Sequence, residues 1–247
     1  MAGILMHRPK RPLSWYLFTC GLLLFVLGIV TYVYYEATLG KTPFPSVADV
    51  FFIASYPCAA SALLLFQSRR LVRDRASTID PIIVTVAVGM LAWVFLIEPY
   101  TTDPSLTLLQ RLVSMAYPLM DVLLLAVVVR MLLVRGERPF AYYLLVAGLL
   151  CMLIFDARYG VTTLAGTYQT GSPIDAFEML FLVLFGTAAL HPSMTHLSDN
   201  TVLDPETRLT RRRLVLLATA SLMAPGLLAL QAVRGETLNV PVTVGGS

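Results

Sequence analysis

Apolar residues gather into seven runs along the chain: Trp15–Tyr35, Val47–Phe66, Pro81–Ile97, Leu108–Val134, Phe140–Leu164, Ile174–Leu190 and Leu214–Val233. Each is close to the roughly 20 residues that a helix, rising 1.5 Å per residue, needs to cross a hydrocarbon core about 30 Å thick. None alternates with the period of two that marks a barrel strand. Inside lipid every backbone N–H and C=O must be satisfied within the segment, so helices are the remaining solution. The pattern predicts an all-α fold, a polytopic transmembrane bundle of seven spans. The sixth run is short and opens on carboxylates, and is the weakest of the set. The expected division is a basic N-terminal tail over 1–13, a transmembrane helical domain over 14–234, and an outer loop or the start of a truncated further span over 235–247.

The polar gaps orient this bundle. Arg69, Arg70, Arg73 and Arg75 follow the second run, Arg135 and Arg138 the fourth, and Arg208, Arg211, Arg212 and Arg213 the sixth. Arg130 is placed to snorkel to the same side. The intervening gaps hold Lys41 and little other positive charge. Positive charge collects on cytoplasmic loops, so every cluster predicts a cytoplasmic N-terminus. The outer gaps are short and rich in turn formers (Gly40, Pro43, Pro45; Pro99, Pro104; Gly166, Gly171, Pro173), which predicts antiparallel helical hairpins. The basic flank His7-Arg8-Pro9-Lys10-Arg11 resembles the start of a signal peptide. The apolar run after it is too long, ends in Tyr32, Tyr34, Tyr35 and Glu36, and offers no small-residue cleavage site. It reads as an uncleaved first span.

Composition agrees. Hydrophobic residues make up 57% and charged residues 13%, against about 25% charged in a soluble domain. Mean hydropathy is +0.75. The net charge of +3 comes from clusters flanking the runs and is no nucleic-acid signal. Cys20, Cys58 and Cys151 fall inside runs and read as small packing residues. The expected partners are the lipid bilayer of the cell (plasma) membrane and an unidentified small ligand or ion, with a homodimer through the membrane helices left open.

Ionisable residues inside a bilayer are expensive, about 2.5–3.5 kcal/mol near its centre on insertion scales. Asp121 lies near the midplane of the fourth run, and Asp156 about 16 residues into the fifth. Asp49, Asp175 and Glu178 sit near the outer ends of the second and sixth runs, Glu98 closes the third there, and Arg111 opens the fourth. Helical spacing puts Tyr117 on the face of Asp121, Tyr56 on that of Asp49, and Tyr159 on that of Asp156. A phenol beside a carboxylate reduces the cost of burying it. Arg111 and Arg158 are the cations available to these acids. Two readings stand: the set lines an outward-opening polar cavity that senses a ligand, ion or proton, or it serves as interhelical glue and interfacial anchoring. Pro57 and Pro118 lie inside runs and predict kinks. Asp49, Asp121 and Asp175 each sit in a span that enters from outside, each followed by a small or β-branched residue and then bulky apolar ones. A repeated hairpin and chance likeness both account for that.

No phosphate loop, metalloprotease helix or nucleophile elbow occurs. His191 and His196, five apart, do not share a helical face. No catalytic residue, metal or cofactor is expected.

Several strings carry a family likeness: Pro45-Ser46-Val47-Ala48-Asp49-Val50-Phe51-Phe52 with Tyr56-Pro57, Asp74-Arg75, Trp93-Val94-Phe95-Leu96-Ile97-Glu98-Pro99, Tyr117-Pro118-Leu119-Met120-Asp121, and Ala189-Leu190-His191-Pro192-Ser193-Met194. Over nearly its whole length the chain resembles the N-terminal multi-pass region of actinobacterial signalling proteins. There the membrane region precedes cytoplasmic GGDEF and EAL domains that make and degrade cyclic di-GMP. Neither output domain is in this sequence. The resemblance implies a sensory input module and an eighth span beyond the tail 235–247. A small transporter and a structural membrane anchor are the alternatives.

Overall fold

The structure is a computed structural model and describes residues 1–9, 12–40, 43–67, 76–133 and 138–198. Among these the chain is helical, with no strand. A short α1 (Ala2–His7) precedes α2 (Pro12–Leu39) and α3 (Val47–Gln67). Helix α4 (Ala76–Ala92) runs through a π-helical turn (Trp93–Ile97) into α5 (Glu98–Thr102). Then come α6 (Leu108–Leu133), α7 (Phe140–Leu164), α8 (Asp175–Leu190) and a 3₁₀ segment (Pro192–Ser198).

Among the described residues, five stretches are long and apolar enough to cross a membrane: Pro12–Leu39, Val47–Phe66, Ile82–Thr101, Leu108–Leu132 and Phe140–Leu164. These match the first five predicted spans, so the chain is a multi-pass membrane protein. The third extends past Glu98, which the sequence had placed at its end. The sixth predicted span forms α8, a helix of 16 residues, or about 24 Å, less than the thickness of a hydrocarbon core. The seventh lies outside the described residues, as do the tail and the clusters at 69–75 and 208–213.

The helices pair as the short connections require. Helix α2 packs along α3, α7 along α8, and α4 along α6. Helices α3, α6 and α7 then join the pairs into one bundle. Small residues set the closest approaches, as is common between membrane helices. A Cβ on Gly21 would lie 3.2 Å from the Ser55 carbonyl oxygen, and one on Gly148 only 2.6 Å from Phe185 Cδ1. Aromatic rings fill the space beside them. Phe25 meets Phe181 at 5.2 Å and Phe18 meets Phe185 at 4.8 Å between ring centroids, which ties α2 to α8. Helix α4 contributes a separate cluster, Val84, Ala87 and Met90 against Val129 of α6.

The two ends of the bundle differ. At one end, here the aspartate end, lie the starts of α3, α6 and α8. At the other, the histidine end, α1 and the 3₁₀ segment close over the core. Met194 and Leu197 of that segment are buried. The Ser193 hydroxyl accepts the Ala141 amide, in the first turn of α7, at 2.9 Å, and sits 2.8 Å from His191 Nδ1. Gly3 rests against the Ala189 carbonyl where no side chain would fit. His7 Nε2 lies 2.9 Å from the Leu190 carbonyl oxygen.

Candidate functional site

The starts of α3 and α6 are fixed by side-chain boxes of the Ser/Thr-x-x-acid or -amide kind. Asp49 Oδ2 accepts the Ser46 amide at 2.6 Å and the Ser46 hydroxyl at 3.1 Å, while Ser46 Oγ accepts the Ala48 amide. Thr107 and Gln110 do the same for α6. Asp175 accepts the Gly171 amide at 2.7 Å and the Tyr168 hydroxyl at 3.1 Å. Ser46 and Thr107 carry a legible signal, the four-residue box motif, that the sequence reading passed over. Their partners separate the three echoed aspartates. Asp49 caps the start of α3, Asp175 opens α8 and holds the connection before it, and Asp121 lies in mid-helix.

Those partners come from two other helices. Tyr56, on α3, is 2% exposed. Its hydroxyl oxygen lies 3.2 Å from Asp121 Oδ1 on α6 and 3.0 Å from Asp156 Oδ2 on α7. The two carboxyl groups are also within hydrogen-bonding reach of each other. Three oxygens from three helices thus meet inside the bundle. By helix rise, Tyr56 and Asp156 sit about 12–14 Å from the aspartate-end termini of their helices, and Asp121 about 20 Å from that of α6. Among the described residues, none of the groups acting electrostatically on either aspartate is a cation.

The Tyr117 hydroxyl donates to Asp49 Oδ1 at 2.6 Å. Phenol and acid therefore exchange partners relative to the sequence expectation. Tyr117 serves Asp49 rather than Asp121, and Tyr56 serves Asp121 and Asp156 rather than Asp49. Side chains on a helix lean toward its N-terminus. Tyr117 thus points away from Asp121, four residues further on, and toward the start of the parallel helix α3. Tyr159 stacks on Phe155, with centroids 5.8 Å apart, and meets Tyr168 edge-on at 4.7 Å.

The expected cations lie elsewhere. The Arg111 guanidinium donates to the Asp103 carbonyl at 2.9 Å, and its Nε is buried without a partner among the described residues. Arg158 is exposed. Glu178 is half-buried on α8, where Asp156 and Asp175 are its charged neighbours. Glu98 is half-buried at the π turn. Pro57 and Pro118 both stand inside continuous helices. Each removes a backbone donor in the turn holding Tyr56 or preceding Asp121.

In the connecting segments two groups are perturbed. Burial, and then the neighbouring Asp175 carboxylate, push the Tyr168 phenol above its usual range. The Ser105 hydroxyl, and then the Ser105 amide, hold the Asp103 carboxyl below its usual 3.8.

Beneath Tyr56 lies a small cavity of about 20 Å³, lined among others by Phe25, Ser55, Leu124, Leu149 and Phe181. It has room for a single water, but its walls are apolar and offer few of the polar partners a buried water needs. No group of three or more histidines, cysteines or acids suited to a metal occurs among the described residues. Comparisons with protein-family models, with curated proteins and with solved structures find no match to this chain.

Proposed function

We propose that the chain is a membrane-embedded sensory input module whose helix packing is set at the junction of Tyr56, Asp121 and Asp156. The observation that carries this reading is the meeting of one phenol and two carboxyl groups, each from a different helix, inside an otherwise apolar bundle. Polar groups in such a place are retained for a role beyond holding helices together, because each is costly in lipid and interhelical hydrogen bonds contribute only about 0.6 kcal/mol on average. A change at the junction alters α3, α6 and α7 together. The arginine clusters predict that the histidine end faces the cytoplasm, and the resemblance to cyclic di-GMP signalling proteins suggests an output there.

Signalling is favoured over transport by the distribution of polar groups. The junction and its polar neighbours lie toward the aspartate end. Toward the histidine end the helices close on Trp15, Phe66, Leu145 and Leu149, all buried. The test is to express the chain in its natural sequence context with Asp121→Asn and Asp156→Asn and to measure cellular cyclic di-GMP. A shift of basal level in both variants is expected. An unchanged level in both, at wild-type protein abundance, would overturn the reading.

A further inference from the structure

The contacts at Tyr56 contain more oxygens than hydrogens to join them. The Tyr56 hydroxyl has one hydrogen and two carboxylate oxygens within reach, 3.2 Å and 3.0 Å away. It can donate to one of them only. The other contact, and the approach of Asp121 to Asp156, have no hydrogen if both acids are ionised. Buried contacts of that kind are costly, and two adjacent carboxylates without a counter-cation cost more. A single further hydrogen on one aspartate lowers the contacts without a hydrogen from two to one and removes one of the two facing negative charges: that acid donates across the pair, while the phenol donates to one of its two acceptors.

We infer that Asp121 and Asp156 together bind one exchangeable proton, and that this proton is the ligand that locks α3, α6 and α7 together. The titratable groups around the pair are Tyr56 from α3, Tyr117 from α6, whose hydroxyl is turned to Asp49, and Glu178 from α8. Tyr32 of α2 and Tyr100 of α5 act on Tyr159 of α7, which adjoins this set. None of these carries a positive charge, so nothing named here substitutes for the proton. Glu178, half-buried with Asp156 and Asp175 as its charged neighbours, offers the exchange route to water at the aspartate end. On release, one carboxylic O–H bond breaks, its electron pair stays on the aspartate, and the proton passes to water. Two carboxylates then face each other across the α6–α7 interface, and their repulsion opens it.

For its consequence the inference rests on the sensory reading, whose stimulus it names as proton activity. Infrared difference spectroscopy of the full chain in lipid nanodiscs, titrated from acid to alkaline pH, reads the protonated carboxyl directly. One carboxylic-acid band that disappears on alkalinisation is expected in the wild type. Either Asp121→Asn or Asp156→Asn should abolish that band, whereas Asp175→Asn should leave it. Tyr56→Phe keeps both acids and should shift the band without removing it. If each single substitution leaves a titrating band of its own, the acids bind protons separately and the shared site is overturned. If no band depends on either residue, the pair is ionised throughout and the inference likewise falls. Spin labels at the exposed Val50 and Ile154 should show an α3–α7 distance that changes over the same titration. A constant distance would overturn the lock. A titrating band and distance with unchanged cyclic di-GMP would instead sink the sensory reading alone.

Discussion

Tyr56 has the most to lose from a small change, since one oxygen atom touches two helices. Replacing it with phenylalanine keeps the ring, which fills its place beside Phe25 and Leu149, and deletes only the hydroxyl. Stability should fall by about 0.6–1.7 kcal/mol, the range for interhelical hydrogen bonds, as read by detergent-induced unfolding in bicelles. Tyr117→Phe should cost a similar amount, because Asp49 keeps its Ser46 donors. Sequence spacing marked Asp121 and Asp156 as misplaced in lipid, and it marked both tyrosines. It assigned them the wrong acids because spacing along one helix reports neighbours on that helix alone. The actual partners are 65 and 100 residues away for Tyr56 and 68 for Tyr117. At the surface, Asp103 gives a pH test. Its carboxyl is depressed below 3.8 by Ser105, so its small stabilising share is present above that value and lost as pH falls through the folded one. Ser105→Ala should move its titration upward toward 3.8, which carbon-detected NMR of the side chain would follow; an unmoved titration would contradict the assignment.

Among the elements, the helices were legible and their interruptions were not. The run Phe140–Leu164 matches its helix to the residue, and the other described runs match theirs less closely, because a span must be apolar over about 20 residues. The π turn at Trp93–Ile97 is marked only indirectly, by Pro99, which lacks an N–H and crowds the Phe95 carbonyl four residues back. Close packing was equally hidden, because glycine in an apolar run reads the same whether it faces lipid or a neighbour. Gly148 faces Phe185 and Gly89 does not. Gly148→Val should therefore lower stability by about 1–3 kcal/mol through overpacking, whereas Gly89→Val, whose nearest neighbour is Val122 Cγ1 at 3.6 Å, should change it far less. Equal losses in a side-by-side unfolding titration would contradict this account of the α7–α8 contact.

Across the whole molecule, sidedness is an expectation carried by the sequence. Arginine clusters predict the histidine end inside the cell, and the hairpin order puts the connections 40–46 and 165–174 on the opposite side. Single cysteines at Gly166 and Ser172, introduced after removing Cys20, Cys58 and Cys151, should react with a membrane-impermeant maleimide on intact cells. A cysteine at Thr195 should react only after permeabilisation. The reverse pattern would invert the bundle and put the aspartates toward the cytoplasm.

Helix α7 has a handle at each end. Asp156 is grasped by Tyr56 near one end, and at the other the Ala141 amide holds the Ser193 hydroxyl at 2.9 Å. Between them lie about 22 Å of uninterrupted helix, by the rise per residue. A helix is stiff along its axis. A slide of about 1–2 Å, a common amplitude where packed helices shift, would arrive at Ser193 almost undiminished. The segment it pulls is the one through which the chain leaves α8. On the proposed sensory reading, α7 would serve in mechanical terms as a push-rod, with its grip in the membrane and its load at the edge.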